Sequence, residues 1–194
     1  LGADAAHFFN AEASVPKPGV VLPRIQSIAS KLWTLYVIFT IICFIMLCLG
    51  GIDPFDALNY AFSIIATGGL TPTTAGTFLY SQNTYICVVF ILFMVIAGGN
   101  FAVYYNVIQK GFSALFSDFE TRMYWLVLVI GILITFISLY FQSNSMDIGQ
   151  AFQDSAFTLV SIQTGSGFAV SDYDLWPAAA QMMLFIASFF GGCS

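Results

Sequence analysis

The sequence has little charge. Only 8% of its 194 residues are charged, and histidine occurs once. Soluble globular domains carry about 25% charged residues, so this composition excludes a soluble enzyme. The hydrophobic share of 59% likewise excludes a disordered segment. The four cysteines lie in apolar stretches, which indicates small buried side chains and argues against a secreted disulfide scaffold. The composition therefore predicts an integral membrane protein.

Three uncharged apolar runs are long enough to span a membrane. They cover Leu32–Gly50, Tyr85–Tyr105 and Met123–Phe141. A helix of about 19 residues is roughly 28 Å long, close to the ~30 Å hydrocarbon core of a bilayer. A fourth run, Ala178–Cys193, is still apolar near the last residue. We therefore predict an all-α integral membrane fold, and we expect the chain to be a piece of a longer protein.

The basic residues lie on one side of these predicted spans. They are Lys17, Arg24, Lys31, Lys110 and Arg122. All five either precede the first run or separate the second run from the third, whereas the connections 51–84 and 142–177 contain six aspartates and no Lys or Arg. Cytoplasmic loops of membrane proteins carry the excess of Lys and Arg. The pattern predicts that the N-terminal stretch and the 106–122 linker are cytoplasmic.

The two connections on the other side of the predicted membrane, 51–84 and 142–177, each contain a sequence pattern typical of a helix. Pro54–Ala66 is a mostly apolar stretch that follows an Asp-Pro pair, which is typical of a helix start. At about 20 Å it is too short to span, and Asp147–Gln163 has the same design. Each stretch runs into glycine and hydroxyl residues, TGGLT at 67–71 and TGSGF at 164–168. The pattern predicts two re-entrant helices, each followed by a glycine-bearing loop.

The two halves of the chain read as one repeated unit of helix, short helix, loop and helix. Asp53 matches Asp147 at an offset of 94, and Ala61-Phe62 matches Ala156-Phe157 at an offset of 95. The predicted organisation is a cytoplasmic linker at 1–31, a complete repeat at 32–110, a second linker at 111–122, and a truncated repeat at 123–194.

Some residues fit structural roles in this unit. Asp53 and Asp147 are predicted helix N-caps. Gly98-Gly99, inside the second run, indicates close packing or a bend. Tryptophans at the edges of the spans are predicted interface anchors. These are Trp33, Trp125 and Trp176.

The two loops are electrically neutral, which limits their chemistry. No Asp, Glu, Lys or Arg occurs at 57–83 or 155–171. Backbone carbonyl oxygens in such loops can replace the hydration shell of K⁺ or Na⁺, and the C-terminal dipole end of a preceding helix favours a cation. The alternatives are ordinary turns between hairpin helices, a two-repeat channel that works as a dimer, and a non-conducting scaffold subunit. An intramembrane enzyme is disfavoured because the three spanning runs contain no Asp, Glu or His.

Motifs along the chain resemble the membrane subunits of Trk/Ktr-type potassium transporters. They are PRIQSIASKLW, DALNYAFSIIATGGLT, AGGNFAVYYN, AFTLVSIQTGSGF, SDYDLWP and SFFGGCS. The likeness runs from about Pro23 to the end. It implies four helix–pore-loop–helix repeats of the potassium-channel-like type around one pore, of which this chain resembles the second and third. The implied function is uptake of K⁺, and of Na⁺ as an open alternative, across a bacterial inner membrane.

The resemblance also implies the site and the partners. The implied selectivity filter contains Thr67, Gly68, Gly69 and Leu70 in the first loop and Thr164, Gly165, Ser166, Gly167 and Phe168 in the second. Gly69 and Gly167 match the one glycine that each repeat supplies, and Gly165 and Ser166 stand where threonines are common. Gly191 and Gly192 match the start of an intramembrane gate. The implied partners are the other two repeats of the parent chain, a second copy of the protein, a cytoplasmic nucleotide-binding subunit and the lipid bilayer. No cofactor, no metal beyond the transported cation and no nucleic acid are expected.

Overall fold

The structure, a computed structural model, describes residues 18–99, 103–104, 107, 119–142 and 147–191. Within these ranges it is helical and contains no strand. The helices are α1 (Pro18–Leu49), α2 (Pro54–Ile65), α3 (Thr84–Ala97), α4 (Phe119–Gln142), α5 (Ile148–Gln163) and α6 (Ala178–Gly191). Short 3₁₀ turns at Gly76–Tyr80 and Tyr173–Leu175 lie between α2 and α3 and between α5 and α6. The all-α fold class predicted from composition is confirmed.

Two of the described helices are long and apolar enough to cross a membrane. The qualifying segments are Ala29–Leu49 of α1 and Thr121–Phe141 of α4, which agree with the first and third apolar runs of the sequence. The helices α3 and α6 have 14 residues each, or about 21 Å. Each half of the chain therefore pairs one long helix with one shorter apolar helix.

The second apolar run, Tyr85–Tyr105, is not one continuous helix. Helix α3 ends at Ala97, within the run. Gly98 is the C-cap, and its amide donates to the Met94 carbonyl oxygen at 2.8 Å. The run was predicted from its length and hydropathy, and the bend or close-packing site predicted at Gly98-Gly99 lies where the helix ends.

The short helices begin as predicted. Asp53 is the N-cap of α2, where its Oδ1 accepts a hydrogen bond from the Phe55 amide at 3.0 Å. Asp147 is the N-cap of α5, where its Oδ2 accepts from the Gly149 amide at 3.2 Å. Each carboxylate satisfies an amide that the first turn leaves without a helical partner, so the two N-cap predictions are confirmed.

The helices of each half pack together, and the halves meet through α3 and α5. The core between the halves is aromatic. Phe90 of α3 lies 5.4 Å from Tyr60 of α2, 5.9 Å from Phe157 of α5 and 5.4 Å from Phe168 of the second loop, ring centre to ring centre. Full burial of a side chain such as Phe stabilises by about 1.5–3 kcal/mol. This cluster therefore joins the two short helices through α3.

The three predicted interface tryptophans differ in exposure, and Trp125 is half-buried. Trp33 is 71% exposed on α1, as an interface anchor would be. Trp176 is only 8% exposed and packs in a second core cluster with Leu139 and Leu184. The anchor prediction was wrong for Trp176, because the segment after the second loop folds back over the helices of its own half.

Candidate functional site

The two glycine-bearing loops are in direct contact. The α-carbon of Gly69 lies so close to the backbone carbonyl of Ser166 that a Cβ on Gly69 would overlap its oxygen. No other residue type fits at Gly69 without a shift of backbone in the other half of the chain. The structure thus brings together the predicted site residues of both loops, which are almost 100 residues apart in sequence.

The backbone of each loop alternates in handedness. Positive φ angles occur at Thr67 (50°) and Gly69 (65°) in the first loop and at Gly165 (71°) and Gly167 (74°) in the second. The spacing is two residues in both loops, and the offset between the loops is 98. Thr67 is the only residue other than glycine with a positive φ in the described part of the chain. For a β-branched side chain this is a true outlier, of the kind that concentrates at functional sites and costs about 1–3 kcal/mol.

The offset of 98 differs from the offset of 94 to 95 found in the sequence. The C-caps of α2 and α5 are Ala66 and Thr164, which are also 98 residues apart. The N-caps keep the offset of 94, because α5 has 16 residues and α2 has 12. The second short helix is therefore one turn longer. Ser161 occupies the position of Ser63 when the helices are aligned from their C-terminal ends.

These two serines tether the loops to the helices. The Gly68 amide donates to the Ser63 carbonyl oxygen at 2.7 Å, and the Gly167 amide donates to that of Ser161 at 3.2 Å. The hydroxyls of Ser63 and Ser161 are buried and have no hydrogen-bond partner among the described residues. Each loop is thus fastened to the last turn of its own short helix through backbone groups.

Side chains of the second loop alternate between buried and exposed. Thr164, Ser166 and Phe168 are buried, whereas Gly165 and Gly167 are exposed. The hydroxyls of Thr164 and Ser166 lie 2.9 Å apart. This alternation leaves bare backbone on the open side of the loop, a surface that can offer only peptide groups to a ligand.

The first loop differs at its far end. Leu70 is 77% exposed, whereas Phe168, its counterpart at the offset of 98, is 3% exposed. The 3₁₀ turn after the first loop is tied across the halves, because the Thr77 hydroxyl donates to the Ala169 carbonyl oxygen. The segments that follow the two loops are therefore held next to each other.

The end of α3 also adjoins the site, which the sequence analysis did not predict. Thr164 lies against the end of α3, where a Cβ on Gly98 would be 2.5 Å from the Thr164 Cγ2 and 3.2 Å from its α-carbon. The double glycine was the only sequence signal for this contact, and it does not name its partner. The predicted gate residue Gly191 is the last residue of α6, and Gly192 lies outside the described residues.

One acidic residue of α5 is buried. Asp154 of α5 was grouped with the acids of an outer connection, but it is only 2% exposed. Its Oδ1 accepts a hydrogen bond from the Gln150 Nε2 at 2.8 Å. Helix α5 is too short to span a membrane. Burial raises the pKa of the Asp154 carboxyl, and the hydrogen bond from Gln150 acts against this rise. No group of three or more His, Cys, Asp or Glu side chains that could hold a metal occurs in the described part of the chain.

The raised pKa of Asp154 predicts a pH-dependent stability. The folded state penalises the ionised carboxyl, so stability is greatest below the ordinary Asp range near pH ~4 and falls as pH rises through the raised pKa. Asp154→Asn keeps an acceptor for Gln150 and removes the charge. We expect it to raise the melting temperature of the purified protein by a few degrees at about pH 8 and by less at about pH 5. Asp174→Asn, at an exposed aspartate, is the matched control, and an equal gain in both variants would contradict the assignment.

Comparison with known proteins gives one family. The family described as "TrkH: Cation transport protein" matches residues 3–194. TrkH of Halomonas elongata, named a Trk system potassium uptake protein, is 32% identical over 196 residues, which cover 100% of this chain and 40% of that protein. TrkG of Escherichia coli, with the same description, is 30% identical over 195 residues, which cover 100% of this chain and 40% of that protein. This chain therefore spans about two fifths of the length of the curated relatives it matches.

A solved structure agrees with the sequence matches. The crystal structure of the potassium transporter TrkH from Vibrio parahaemolyticus superposes with a TM-score of 0.80 at 29% sequence identity. The superposition covers 86% of this chain and 36% of that one. The arrangement of helices is therefore shared with a membrane transporter.

Proposed function

We propose that this chain, which belongs to the TrkH family of cation transport proteins, supplies two of the pore loops through which its full-length parent takes up K⁺. In this proposal the repeats at 32–110 and 123–194 each contribute one loop to a selectivity filter. The filter residues are Thr67, Gly68, Gly69, Leu70, Thr164, Gly165, Ser166, Gly167 and Phe168. Backbone carbonyl oxygens coordinate the dehydrated ion, and no side-chain charge takes part.

One observation carries this proposal. Two neutral loops with alternating positive φ angles meet at Gly69 and Ser166, at the ends of two short helices. Non-helical backbone at membrane depth is tolerated only where it is buried in protein or lines water. The exposed glycines of the second loop fit a lining role. The C-terminal ends of both short helices point their negative dipole ends toward the loops, which supports a cation as the ligand.

Potassium is the proposed substrate because the similar proteins are named potassium uptake proteins. The second loop has Gly165 and Ser166 where the resemblance implies threonines, so its coordination shell is built from smaller and more mobile residues. Transport of Na⁺ beside K⁺ is therefore measured in the same experiment.

The surface of the described helices fits a membrane and further repeats. Leu49 on α1 is 77% exposed, and Phe185 and Phe189 on α6 are 64% and 62% exposed. Such apolar side chains face lipid or the other repeats of the parent chain, which would complete the ring of loops. A homodimer, a cytoplasmic nucleotide-binding subunit, a gate at Gly191 and Gly192, and a bacterial inner-membrane location with a cytoplasmic N-terminal stretch belong to the same proposal.

The test is ion flux through the full-length parent protein. In a bacterium that lacks its own K⁺ uptake systems, we expect the parent to restore growth at limiting K⁺, and in proteoliposomes to conduct K⁺ faster than Na⁺. Absence of K⁺ flux in both assays would overturn the proposal. Conduction by the 194-residue chain alone would instead favour a two-repeat channel that works as a dimer.

A further inference from the structure

The early end of α3 leaves backbone carbonyls that other parts of the chain bind. In an uninterrupted helix the carbonyl oxygens of Val95 and Ile96 would accept from amides four residues later. Here the Gly99 amide donates to the Ile96 oxygen at 3.3 Å instead. A backbone carbonyl without a donor is costly in an apolar environment, so the break needs donors from elsewhere.

Two tyrosine hydroxyls act as these donors. Tyr124 of α4 donates to the Val95 carbonyl oxygen at 3.1 Å, and Tyr104 donates to that of Ile96 at 2.9 Å. Gly99 makes room for the second bond, because a Cβ there would overlap the Tyr104 hydroxyl. The end of α3 is thus held by two other segments, and one of them belongs to the other half of the chain.

The same Tyr124 is tied to the second loop. Gln163, the last residue of α5, donates from its Nε2 to the Tyr124 backbone carbonyl oxygen at 3.2 Å. Gln163 is 2% exposed. The next residue is Thr164, which packs directly against Gly98. The start of the second loop is therefore joined to the end of α3 in two ways. Thr164 packs directly on Gly98, and Gln163 is linked to Val95 through Tyr124. Together these contacts form a closed ring.

We propose that Tyr124 is a positioning residue for ion selection. Its hydroxyl holds the end of α3 in place, which holds Gly98 against Thr164 and so sets the shape of the second loop. This inference rests on the proposed function, since the shape of a loop sets an ion preference only where the loop coordinates the ion. The Tyr124 hydroxyl acts through Val95 and Gly98 at the end of α3, and its removal lets the loop relax and the coordination distances spread.

The test is Tyr124→Phe in the full-length parent, which removes the hydroxyl and keeps the ring. We expect the KM for K⁺ uptake to rise about fivefold and the ratio of K⁺ to Na⁺ flux to fall by a similar factor. The maximal rate per transporter should change less. KM does not depend on how much protein reaches the membrane, so a loss of folded protein does not imitate this result.

Tyr85→Phe is the matched control. The Tyr85 hydroxyl also donates to a carbonyl near the end of an apolar helix, that of Met46 in α1, at 3.2 Å. It has no link to either loop in the described contacts, and we expect its KM to stay at the wild-type value. Tyr104→Phe should have a smaller effect than Tyr124→Phe, because the Ile96 oxygen keeps the Gly99 amide.

A double-mutant cycle tests the ring itself. Thr164→Ser deletes the methyl group that packs on Gly98. If Tyr124 acts through this contact, the effects of Tyr124→Phe and Thr164→Ser on KM are not additive. If the wild-type parent takes up K⁺, additive effects would overturn the inference. A KM for Tyr124→Phe equal to that of Tyr85→Phe would overturn it as well. A parent protein with no K⁺ uptake would defeat the proposed function instead.

Discussion

Replacing Gly69 with alanine is expected to reduce K⁺ uptake by the full-length parent at least about tenfold. Two effects combine at this position. A left-handed backbone costs about 1–2 kcal/mol for a residue that has a Cβ, and the φ of Gly69 is 65°. The added Cβ would also overlap the carbonyl of Ser166, which is backbone and cannot rotate away. Because ~1.4 kcal/mol is a factor of ten, either effect alone is large. The measurement is the initial K⁺ uptake rate in K⁺-depleted cells at equal amounts of membrane protein.

Two glycines serve as controls for this substitution. Gly68→Ala changes the neighbouring residue, but its Cβ would meet nothing closer than 3.7 Å, so we expect a much smaller loss. Gly51→Ala has the same kind of strain, at a φ of 90°, with open space around the Cβ and no role in either loop. It should lower stability and leave the KM for K⁺ unchanged. Equal losses of uptake in Gly69→Ala and Gly51→Ala would count against a special role for the loop contact.

The second large effect is expected at Gly98. Alanine there would place its Cβ 2.5 Å from the Thr164 Cγ2 and 3.2 Å from the Thr164 α-carbon. Packed interiors do not absorb such an overlap without moving neighbouring atoms, and the neighbour here is the start of the second loop. We expect Gly98→Ala to lower K⁺ uptake about tenfold, measured in the same assay together with the K⁺-to-Na⁺ flux ratio.

Gly50→Ala is the control for Gly98→Ala. Gly50 also follows the last residue of an apolar helix, but a Cβ there would meet only side-chain atoms of Ile86 and Tyr85, at 3.0 and 3.1 Å, which is a smaller overlap that involves neither loop. Its effect on uptake should be slight. Removal of the opposing side chain in Gly98→Ala with Thr164→Gly should restore part of the lost flux. If Thr164→Gly alone retains uptake, a double variant no better than Gly98→Ala would show that the overlap is not the cause.

The parts of the fold that depend on neighbouring residues could be predicted from the sequence. Asp53 and Asp147 begin their helices because a carboxylate before an apolar helix start caps it, and this pattern is local. Composition and run length were enough for α1 and α4. The two loops were placed correctly after the short helices, because glycine and hydroxyl residues end an apolar helix wherever they cluster.

The parts that depend on distant contacts could not be predicted. Nothing around Gly69 in the sequence indicates Ser166 as its neighbour, and a repeat argument places the loops in equivalent positions without making them touch. Gly98-Gly99 indicated a bend after Ala97, but nothing nearby in the sequence indicated that Tyr104 and Tyr124 donate to the carbonyl oxygens there. Asp154 was grouped with the acids of an outer connection, and its burial depends on which face of α5 packs against the other helices. Each of these features is set by packing between elements.

The extra turn of α5 has a consequence for how a cation would arrive. Four more residues place Asp147 about 6 Å farther from its loop than Asp53 is from the first loop. Under the proposed function the two carboxylates therefore lie at different distances from the ion-binding loops, so the negative charge at the entrance is not symmetric. A blocker with fourfold symmetry would not seat evenly on such an entrance.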